Sequence, residues 1–283
     1  MKGRRAIVTG ASRGIGQDIA RALAARGADL LLVARSQEEI VRLAGELRGH
    51  GVTVGVASID LARADAAQRV AEAAHSELGG ADIVVNNAAV ELQRRFHTLT
   101  TDEVEGVVRV DLLTPITLAH VLLPDMLAQG YGRIVNVSSI AGRVGFPFTE
   151  AYAASKDGLV AFGRVLRNDY RGSGVSASTV VLGAVRDVGL GQRTIDETGL
   201  PASTAFMVRP EKVARAVVRA IEKDEAEIVV MKGPGRLIRA LLDLFPALGG
   251  VLNRVSGAEE YMGRVANFRE SAAAATQSRS PGA

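Results

Sequence analysis

The chain of 283 residues contains no cysteine and no tryptophan, and aromatic residues make up only 4% of it. Without cysteine, it can form neither disulfide bonds nor thiolate metal sites. Its histidines show no metal-ligand spacing, so we expect no metal centre; they are His50, His75, His97 and His120. No uncharged apolar run reaches the ~18 residues that a membrane-spanning helix needs.

Clustered charge is also missing. The net charge is +3, and the basic residues are scattered rather than arranged in a stripe, which argues against a nucleic-acid partner. The start, Met1 to Arg5, is basic but leads into a short strand and not into the apolar segment of a signal peptide. The expectation is a cytoplasmic protein, with peripheral membrane contact as the alternative.

Strand-like apolar runs alternate with helical patterns along most of the chain. Seven runs resemble buried strands, and they begin at Ala6, Asp29, Val52, Asp82, Arg133, Val175 and Glu227. The alternation implies right-handed crossovers and an α/β fold with a parallel seven-stranded sheet and helices on both faces. We expect one domain over 1–232, a helical C-terminal extension over 233–270 and a disordered tail over 271–283.

Tyr152 and Lys156 are four residues apart in a helical pattern, so both side chains project from one face of the helix. Free tyrosine has a pKa near ~10, and lowering it by three units requires about 4 kcal/mol of preference for the phenolate. A fixed positive charge about 4 Å away supplies about that much at an effective dielectric of about 20. The pair can act as a proton donor near neutral pH, although the same spacing also arises on ordinary exposed helices.

A glycine-rich turn follows the first predicted strand and opens a helix. Glycines let a ligand approach the backbone, and the N–H groups at a helix N-terminus face an anion. We favour a nucleotide phosphate site here over a tight turn without a ligand. The residues that would contact the nucleotide are Gly10, Ser12, Arg13, Gly14, Ile15 and Gly16.

Four motifs in register resemble the short-chain dehydrogenase/reductase family. They are Thr9-Gly10-x-x-x-Gly14-x-Gly16, Asn86-Asn87-Ala88-Ala89 after the fourth strand, Ser138-Ser139 at the end of the fifth, and Tyr152-x-x-x-Lys156. The resemblance covers about residues 5 to 231. It implies a Rossmann-type doubly wound sheet and a nicotinamide-dependent oxidoreductase.

The resemblance also assigns roles in catalysis. It implies that Tyr152 is the general acid in carbonyl reduction and the general base in alcohol oxidation. Lys156 would lower the pKa of Tyr152 and hydrogen-bond the nicotinamide ribose, while Ser139 would hold the substrate oxygen. A positioned proton donor typically contributes about 10²–10⁴-fold. We expect Ser138 to be structural.

The end of the second strand predicts which cofactor binds. An acidic residue there would bind a ribose 2′-OH and repel a 2′-phosphate, but the chain has Arg35 and Ser36, with Arg13 as a second cation. We therefore expect NADP(H) in preference to NAD(H). The remaining cofactor contacts would be Asp60, Leu61, Asn87, Ala88, Tyr152, Lys156, Gly183 and Val185. Asp60 has an alternative role as a helix cap ahead of Ala62.

The chain departs from the family pattern at four places. Asp111 stands where an Asn usually supports a water leading to the lysine, which puts the proton relay in question but not the hydride step. The other departures are Ala89 for glycine, Leu182-Gly183 for Pro-Gly, and Asp187 where a threonine is frequent. None removes the Ser/Tyr/Lys set, so we expect an active enzyme.

Apolar residues after Ser139 and in a substrate loop at about 185–208 predict a hydrophobic substrate. The pocket candidates are Ile140, Phe146, Leu190 and Phe206, each of which could equally pack the domain. The C-terminal extension resembles that of hydroxysteroid and retinol dehydrogenase-like members. Its amphipathic piece at 237–252 could lie on a membrane, but we favour packing on the domain or on a second subunit.

The sequence thus predicts an NADP(H)-dependent carbonyl reductase or alcohol dehydrogenase acting on a hydrophobic ketone or aldehyde and its alcohol. The resemblance implies a homodimer or homotetramer formed through the helices at about 101–129 and 150–170. One alternative is a non-catalytic NADP(H)-binding sensor, whose mark would be a broken Ser/Tyr/Lys set. The other is an epimerase or dehydratase of nucleotide sugars, whose members usually space the glycines differently and carry a larger C-terminal domain.

Overall fold

The computed structural model describes residues 1–202, 204 and 207–278. The strands are β1 Arg5–Thr9, β2 Asp29–Ala34, β3 Val54–Ser58, β4 Ile83–Asn86, β5 Gly132–Ser139, β6 Val175–Leu182 and β7 Glu227–Val230. Within the described residues they form one parallel sheet in the order β3-β2-β1-β4-β5-β6-β7. The predicted seven-stranded Rossmann-type sheet is confirmed.

Helices connect the strands and continue beyond the last one. They are α1 Ile15–Ala24, α2 Gln37–Arg48, α3 Ala66–Leu78, α4 Thr101–Val108, α5 Thr114–Ala128, α6 Ala141–Val144, α7 Glu150–Asp169, α8 Gly189–Thr198, α9 Pro210–Lys223, α10 Gly235–Leu244, α11 Ala247–Val255 and α12 Ala258–Ser278. A single 3₁₀ turn, Phe96–Thr98, precedes α4.

The sheet is buried on both faces, which explains why its strands are continuous apolar runs. Successive side chains point to opposite faces: Ala6 and Val8 of β1 join one core, and Ile7 joins the other. Helices α1, α2 and α9 cover the first face, and α3, α5 and α7 cover the second. The expected helices on both faces are therefore present.

The strand order reverses between β1 and β4, which is where open α/β sheets bind ligands, beyond the carboxyl ends of the strands. The glycine-rich turn follows β1 at this edge, and Asn87 and Ala88 follow β4. Ser139 ends β5, and Gly183 follows β6 at the same edge. The topology alone thus gathers residues that are far apart in sequence.

The predicted long helix at 101–129 is interrupted. Helix α4 ends at Val108, a π-helical segment spans Arg109–Leu113, and α5 follows. Pro115 has no N–H to donate to the carbonyl of Asp111 four residues earlier, and its ring crowds that carbonyl, so regular α-helix is disfavoured there. Such π-helical turns occur frequently at functional sites.

The stretch Thr101–Ala128 is long and apolar enough to cross a membrane by length and composition, with a mean hydropathy of 1.5. However, Leu118, Leu122 and Met126 are buried in the core on the α3, α5 and α7 face. The apolar character of this stretch is explained by packing inside the domain.

The C-terminal helices close over the site edge of the sheet. At Gly249, α11 passes so close to α6 that a Cβ would lie 2.2 Å from the carbonyl oxygen of Val144. Asn253 Nδ2 donates to the carbonyl of Gly145 at 2.9 Å. Residues 271–278, expected to be disordered, continue α12, because the four alanines at 272–275 are the strongest helix formers. Residues 279–283 of that expected tail lie outside the described residues.

Candidate active site

One cavity of about 1550 Å³ lies at the carboxyl edge of the sheet. Pockets for drug-sized ligands occupy about 300–1,000 Å³, so this one has room for a dinucleotide and a substrate together. Predicted site residues that line it are Gly10, Ser12, Arg13, Ile15, Gly16, Arg35, Ser36, Asp60, Leu61, Asn87, Ala88, Ser139, Ile140, Phe146, Tyr152, Lys156, Gly183, Val185 and Leu190. Gly14 and Asp111 do not line it, and Phe206 lies outside the described residues.

The glycine-rich turn has the shape of a phosphate cradle. Gly10 and Gly14 have φ angles of 68° and 58°, which favour glycine. A Cβ on Gly16 would lie 2.1 Å from the carbonyl oxygen of Gly10, so no side chain fits there. No side chain caps the start of α1, and Asn87 ties the turn to β4 by donating from Nδ2 to the carbonyl of Thr9 at 3.0 Å. This geometry fits a diphosphate at the helix N-terminus.

Three arginines gather beside this cradle. Burial lowers the pKa of Arg13 from its ordinary value, and the positive charges of Arg193 and Arg35 lower it further. None of the three forms an ion pair with a residue that the structure describes. Ser36 precedes α2 without capping it through its side chain. The cluster suits an additional phosphate next to the adenosine ribose.

Sequence analysis did not identify Arg193. It lies in the segment at about 185–208, which was predicted only as a substrate loop, and the structure forms α8 from Gly189 to Thr198 within it. Helix α8 places Arg193 on the cavity wall with Arg13. The only signal in the sequence was a basic residue in a glycine-rich loop, which does not distinguish a surface arginine from a ligand contact.

Other predicted cofactor residues divide between structural and cavity roles. Asp60 Oδ1 accepts a hydrogen bond from the backbone N–H of Ala62 at 3.0 Å, and Asp60 also lines the cavity. The alternative role as a helix cap is not borne out, because α3 begins at Ala66 and Asp65 is its N-cap. Gly183 donates to the carbonyl of Val230 at 2.9 Å. Asp187 has a φ of 64°, lies 3.2 Å from Arg186 and does not line the cavity. The position of the frequent threonine therefore does not face the site.

The Ser/Tyr/Lys set meets where β5 ends and α7 begins. Ser139 Oγ accepts from the backbone N–H of Ala141 at 3.1 Å, and a hydrogen bond between Ser139 and Tyr152 favours the phenolate. Ser138 Oγ instead donates to the carbonyl oxygen of Lys156 at 2.6 Å, which ties β5 to α7. Ser139 is thus the serine in contact with Tyr152.

Lys156 is buried in an ion pair with Asp111. Its Nζ lies 3.3 Å from Asp111 Oδ2 and donates to the carbonyl of Val137 at 3.3 Å. The other carboxylate oxygen of Asp111 accepts from the N–H of Val90 at 2.8 Å. Burial raises the pKa of Asp111, and the charge of Lys156 opposes that rise. The π-helical segment therefore places a carboxylate directly against the lysine.

The pKa of Tyr152 differs from the sequence-based expectation. Burial raises it, and the charges of Glu91 and Asp111 raise it further. Lys156 Nζ lies 5.6 Å from the centroid of the Tyr152 ring, but Asp111 is closer to that ammonium group and offsets its charge. In the polypeptide alone, Lys156 therefore does not produce the predicted lowering of the phenol pKa.

Glu91 is a second residue that sequence analysis missed. It lines the cavity immediately after the Asn-Asn-Ala-Ala stretch and Val90. Burial raises the pKa of Glu91 to about 7; Arg269 opposes the rise and Asp111 adds to it. The sequence contained one indication of this role: Glu91 follows the Asn-Asn-Ala-Ala motif closely, and that motif lies at the carboxyl edge of the sheet, where the site forms.

A family model described as short chain dehydrogenase matches residues 4–198, which include the glycine-rich turn, Ser139, Tyr152 and Lys156. The chain belongs to the short-chain dehydrogenase family. Ketoacyl reductase HetN of Nostoc sp. is 32% identical to this short-chain dehydrogenase over 251 residues, which is 89% of this chain and 86% of that protein.

Two solved structures extend the comparison. A metagenomic short-chain oxidoreductase in complex with NADP matches with a TM-score of 0.69 and 30% identity, over 81% of this chain and 97% of that one. An alcohol dehydrogenase from the archaeon Thermococcus sibiricus, complexed with 5-hydroxy-NADP, matches with a TM-score of 0.70 and 27% identity, over 81% and 96%. The family resemblance and the fold are thereby confirmed.

Proposed function

We propose that this short-chain dehydrogenase is an NADP(H)-dependent oxidoreductase that interconverts a hydrophobic ketone or aldehyde and its alcohol. The observation that carries the proposal is the division of one cavity into two chemically distinct ends. Ser139, Tyr152 and Lys156 meet at one end, and Arg13 and Arg35 lie with Arg193 at the other. This arrangement supports a dinucleotide that spans the cavity and a carbonyl that reacts at the Tyr152 end.

The chain supplies proton transfer and positioning. The bound nicotinamide would supply or accept the hydride. Ser139 would hold the substrate oxygen, and the Tyr152 hydroxyl would donate a proton to it in reduction and accept one in oxidation. Lys156, fixed by Asp111 and the Val137 carbonyl, would hydrogen-bond the ribose.

The preference for NADP(H) rests on the three arginines. The charges of Arg35 and Arg193 repel that of Arg13, and none of the three has an ion-pair partner among the described residues. A 2′-phosphate would supply the anion that they lack. The two structural relatives that bind NADP or a derivative of it support the same preference. Arg35→Asp should weaken NADPH binding much more than NADH binding, measured by calorimetry. Equal loss of both would contradict the phosphate role. Arg69→Asp is the control, because Arg69 is exposed on α3 and does not line the cavity.

A hydrophobic substrate is supported by the wall of the cavity next to Ser139. Ile140 and Phe146 line it from the segment after β5, and Leu190 lines it from α8. Helix α12 adds Tyr261 and Met262 to the cavity lining. A sugar would need more hydrogen-bonding side chains than these provide.

We also propose a homodimer or homotetramer formed through α4, α5 and α7, with exposed Val165 as part of the α7 surface. The segment 237–252 packs on the domain through Leu242 and Arg239. Its outer face exposes large apolar residues, and we propose that a second subunit rather than a membrane covers them: Leu237, Leu241, Leu244, Phe245, Leu248, Val251 and Leu252, followed by Val255.

The test is an NADPH-consumption screen over ketones and aldehydes of graded chain length and ring number. On the best substrate, Tyr152→Phe should lower turnover by about 10²–10⁴-fold while NADPH still binds. Tyr170→Phe, at the end of the same helix and packed against the domain core, is the matched control. Native turnover in Tyr152→Phe would contradict the proton-donor role.

The two alternatives fit less well. The intact set of Ser139, Tyr152 and Lys156 argues against a sensor that only binds NADP(H), since such a protein has no need of it. The Gly10-x-x-x-Gly14-x-Gly16 spacing argues against an epimerase or dehydratase of nucleotide sugars, whose members usually space the glycines differently.

A further inference from the structure

Glu91 places a carboxylate at the catalytic end of the cavity that the proton-transfer chemistry does not use. It lines the same cavity as Ser139 and Tyr152, and its charge acts on Tyr152, Asp111 and Lys156. These three residues belong to α7 and the π-helical segment, so Glu91 lies between the elements that form the reaction centre. An acidic group on this wall of the cavity can contact a substrate whose carbonyl is held by Ser139 and Tyr152.

The segment that carries Glu91 is fixed on both sides. On one side, the N–H of Val90 donates to Asp111 Oδ1 at 2.8 Å. On the other, Arg269 of α12 donates to the carbonyl of Leu92 and to Gln93 Oε1, both at 2.9 Å. Gln93 is buried and has a φ of 48°, a backbone conformation that its surroundings must hold in place. Glu91 is therefore a positioned group rather than a mobile surface side chain.

The position of Glu91 is not explained by an ion pair with a nearby arginine or lysine. Arg269 directs its guanidinium to Leu92 and Gln93 and, at 3.1 and 2.8 Å, to Thr194 Oγ1 and Glu197. Lys156 is paired with Asp111. Within the described parts of the chain, Glu91 forms no ion pair, and the Gln93 side chain is its hydrogen-bonding neighbour.

The residues around Glu91 determine which substrate group its carboxylate can bind. Ser139 and Tyr152 are both committed to the reacting oxygen, so Glu91 is left to accept a hydrogen bond from a different group of the substrate. At this end Lys156 is paired with Asp111 and Arg269 with Glu197, so Glu91 is left without an ion-pair partner among the described residues and its charge would repel a substrate carboxylate. A hydroxyl or an N–H would be attracted.

We infer that Glu91 determines specificity by binding a hydroxyl or N–H substituent close to the reacting carbonyl and by disfavouring a carboxylate at that position. The inference rests on the proposed function and narrows it. The substrate class becomes a ketone or aldehyde with an apolar body and one hydrogen-bond donor near the carbonyl. A site that uses a charged acceptor in this way rejects analogues without the donor, because its own polar group would then lose its partner.

The experiment compares kcat/KM with NADPH at about pH 8, above the Glu91 pKa of about 7 so that the carboxylate is charged, for three ketones that share one carbon skeleton: a hydroxyketone, the plain ketone and a keto acid. The wild-type protein should prefer the hydroxyketone to the plain ketone by roughly 10- to 100-fold, the range for a hydrogen bond to a charged group. Glu91→Leu should remove that preference. Glu91→Gln should raise kcat/KM for the keto acid about tenfold while lowering it for the hydroxyketone.

Opposite changes for two substrates separate recognition from damage, since a merely structural role would lower all three values together. Glu259→Gln is the matched control, because Glu259 is an exposed carboxylate on α12 that does not line the cavity and should leave the ratios unchanged. The NADPH affinity of each variant should match that of the wild type.

The outcomes are distinguishable. Unchanged substrate ratios in Glu91→Leu and Glu91→Gln, or a parallel loss with all three ketones, would overturn the inference and leave the oxidoreductase assignment standing. No NADPH consumption by the wild-type protein with any ketone or aldehyde would overturn the proposed function, and the inference with it.

Discussion

The ion pair between Lys156 and Asp111 makes the replacement Asp111→Asn the most informative perturbation of this site. Asn is similar in shape to Asp and keeps an oxygen that can accept from the N–H of Val90, which now donates to Asp111 at 2.8 Å. What the substitution removes is the negative charge 3.3 Å from Lys156 Nζ. We expect the pKa of Tyr152 to fall for two reasons. Asp111 raises it directly, and its removal leaves the charge of Lys156 without compensation.

The distances give the size of this effect. Lys156 Nζ lies 5.6 Å from the centroid of the Tyr152 ring. At an effective dielectric of about 20, an uncompensated unit charge at that separation contributes about 3 kcal/mol, or about two pKa units. Charge on the cofactor and on Glu91 remains in both proteins, so we expect the Tyr152 pKa to fall by about one to two units.

The assay is the pH profile of kcat/KM for NADP-dependent oxidation of the alcohol that corresponds to the best ketone. Oxidation requires the phenolate, so a lower pKa of Tyr152 makes the base available at lower pH. The rising limb for Asp111→Asn should move to lower pH by about one to two units, measured over about pH 6 to 10. An unchanged profile, or a move to higher pH, would refute the electrostatic reasoning.

Asp125→Asn is the control for this experiment, because Asp125 is exposed on α5 and does not line the cavity. Its profile should coincide with that of the wild type. Stability gives an independent measure. Removing one partner of a buried ion pair typically costs about 3–5 kcal/mol. The free energy of unfolding should therefore fall in Asp111→Asn and stay unchanged in Asp125→Asn.

Three further predictions concern other parts of the molecule. The pKa of Glu91 is raised from 4.5 to about 7, so the folded state holds a proton that the unfolded state releases. The free energy of unfolding should therefore fall as pH rises from about 4.5 to 7. The decrease should be at most about 3 kcal/mol, because the carboxyl faces a solvated cavity. Urea unfolding of Glu91→Gln should not show this decrease. Gly16→Ala should abolish dinucleotide binding in calorimetry, because its Cβ would meet the Gly10 carbonyl at 2.1 Å. By contrast, Gly45→Ala in α2, which meets nothing within 4 Å, should stabilise the protein by about 0.5–1 kcal/mol. Leu244 and Phe245 are 72% and 57% exposed. Their replacement by Glu should lower the mass of the oligomer in analytical ultracentrifugation. If the mass is unchanged and binding to lipid vesicles is lost, the surface contacts a membrane instead.

The fold could be predicted because the signals that specify it are local. A continuous apolar run such as Leu30 to Val33 indicates a strand buried on both faces, and this is where β2 lies between two helical layers. The glycine-rich turn could be predicted for the same reason, since only glycine tolerates the backbone at Gly10 and the close approach at Gly16. Each of these features depends on neighbours in sequence.

The electrostatics of the site could not be predicted, because they depend on groups that the fold brings together. Nothing local indicates that Asp111 turns toward Lys156, which lies 45 residues later; the π-helical segment ahead of Pro115 places it there. Arg193 was missed because the loop around it carries no periodic pattern, and Glu91 because its neighbours Arg269 and Asp111 come from distant segments. The composition at 271–278 led to the expectation of a disordered tail, whereas α12 extends through these residues, in keeping with the helix propensity of alanine.

The distribution of charge along the cavity links these findings. The cluster of Arg13, Arg35 and Arg193 attracts phosphate at one end. At the other end Lys156 is paired with Asp111 and Arg269 with Glu197, which leaves Glu91 without an ion-pair partner among the described residues. In the proposed function, a dinucleotide would therefore bind with its phosphates at the arginines and its nicotinamide beside Tyr152. The aspartate at the usual asparagine position therefore has a physical role of its own. It raises the pKa of Tyr152, so the phenol keeps the proton that it donates in reduction. Its negative charge also adds to the repulsion of anionic groups at this end of the cavity.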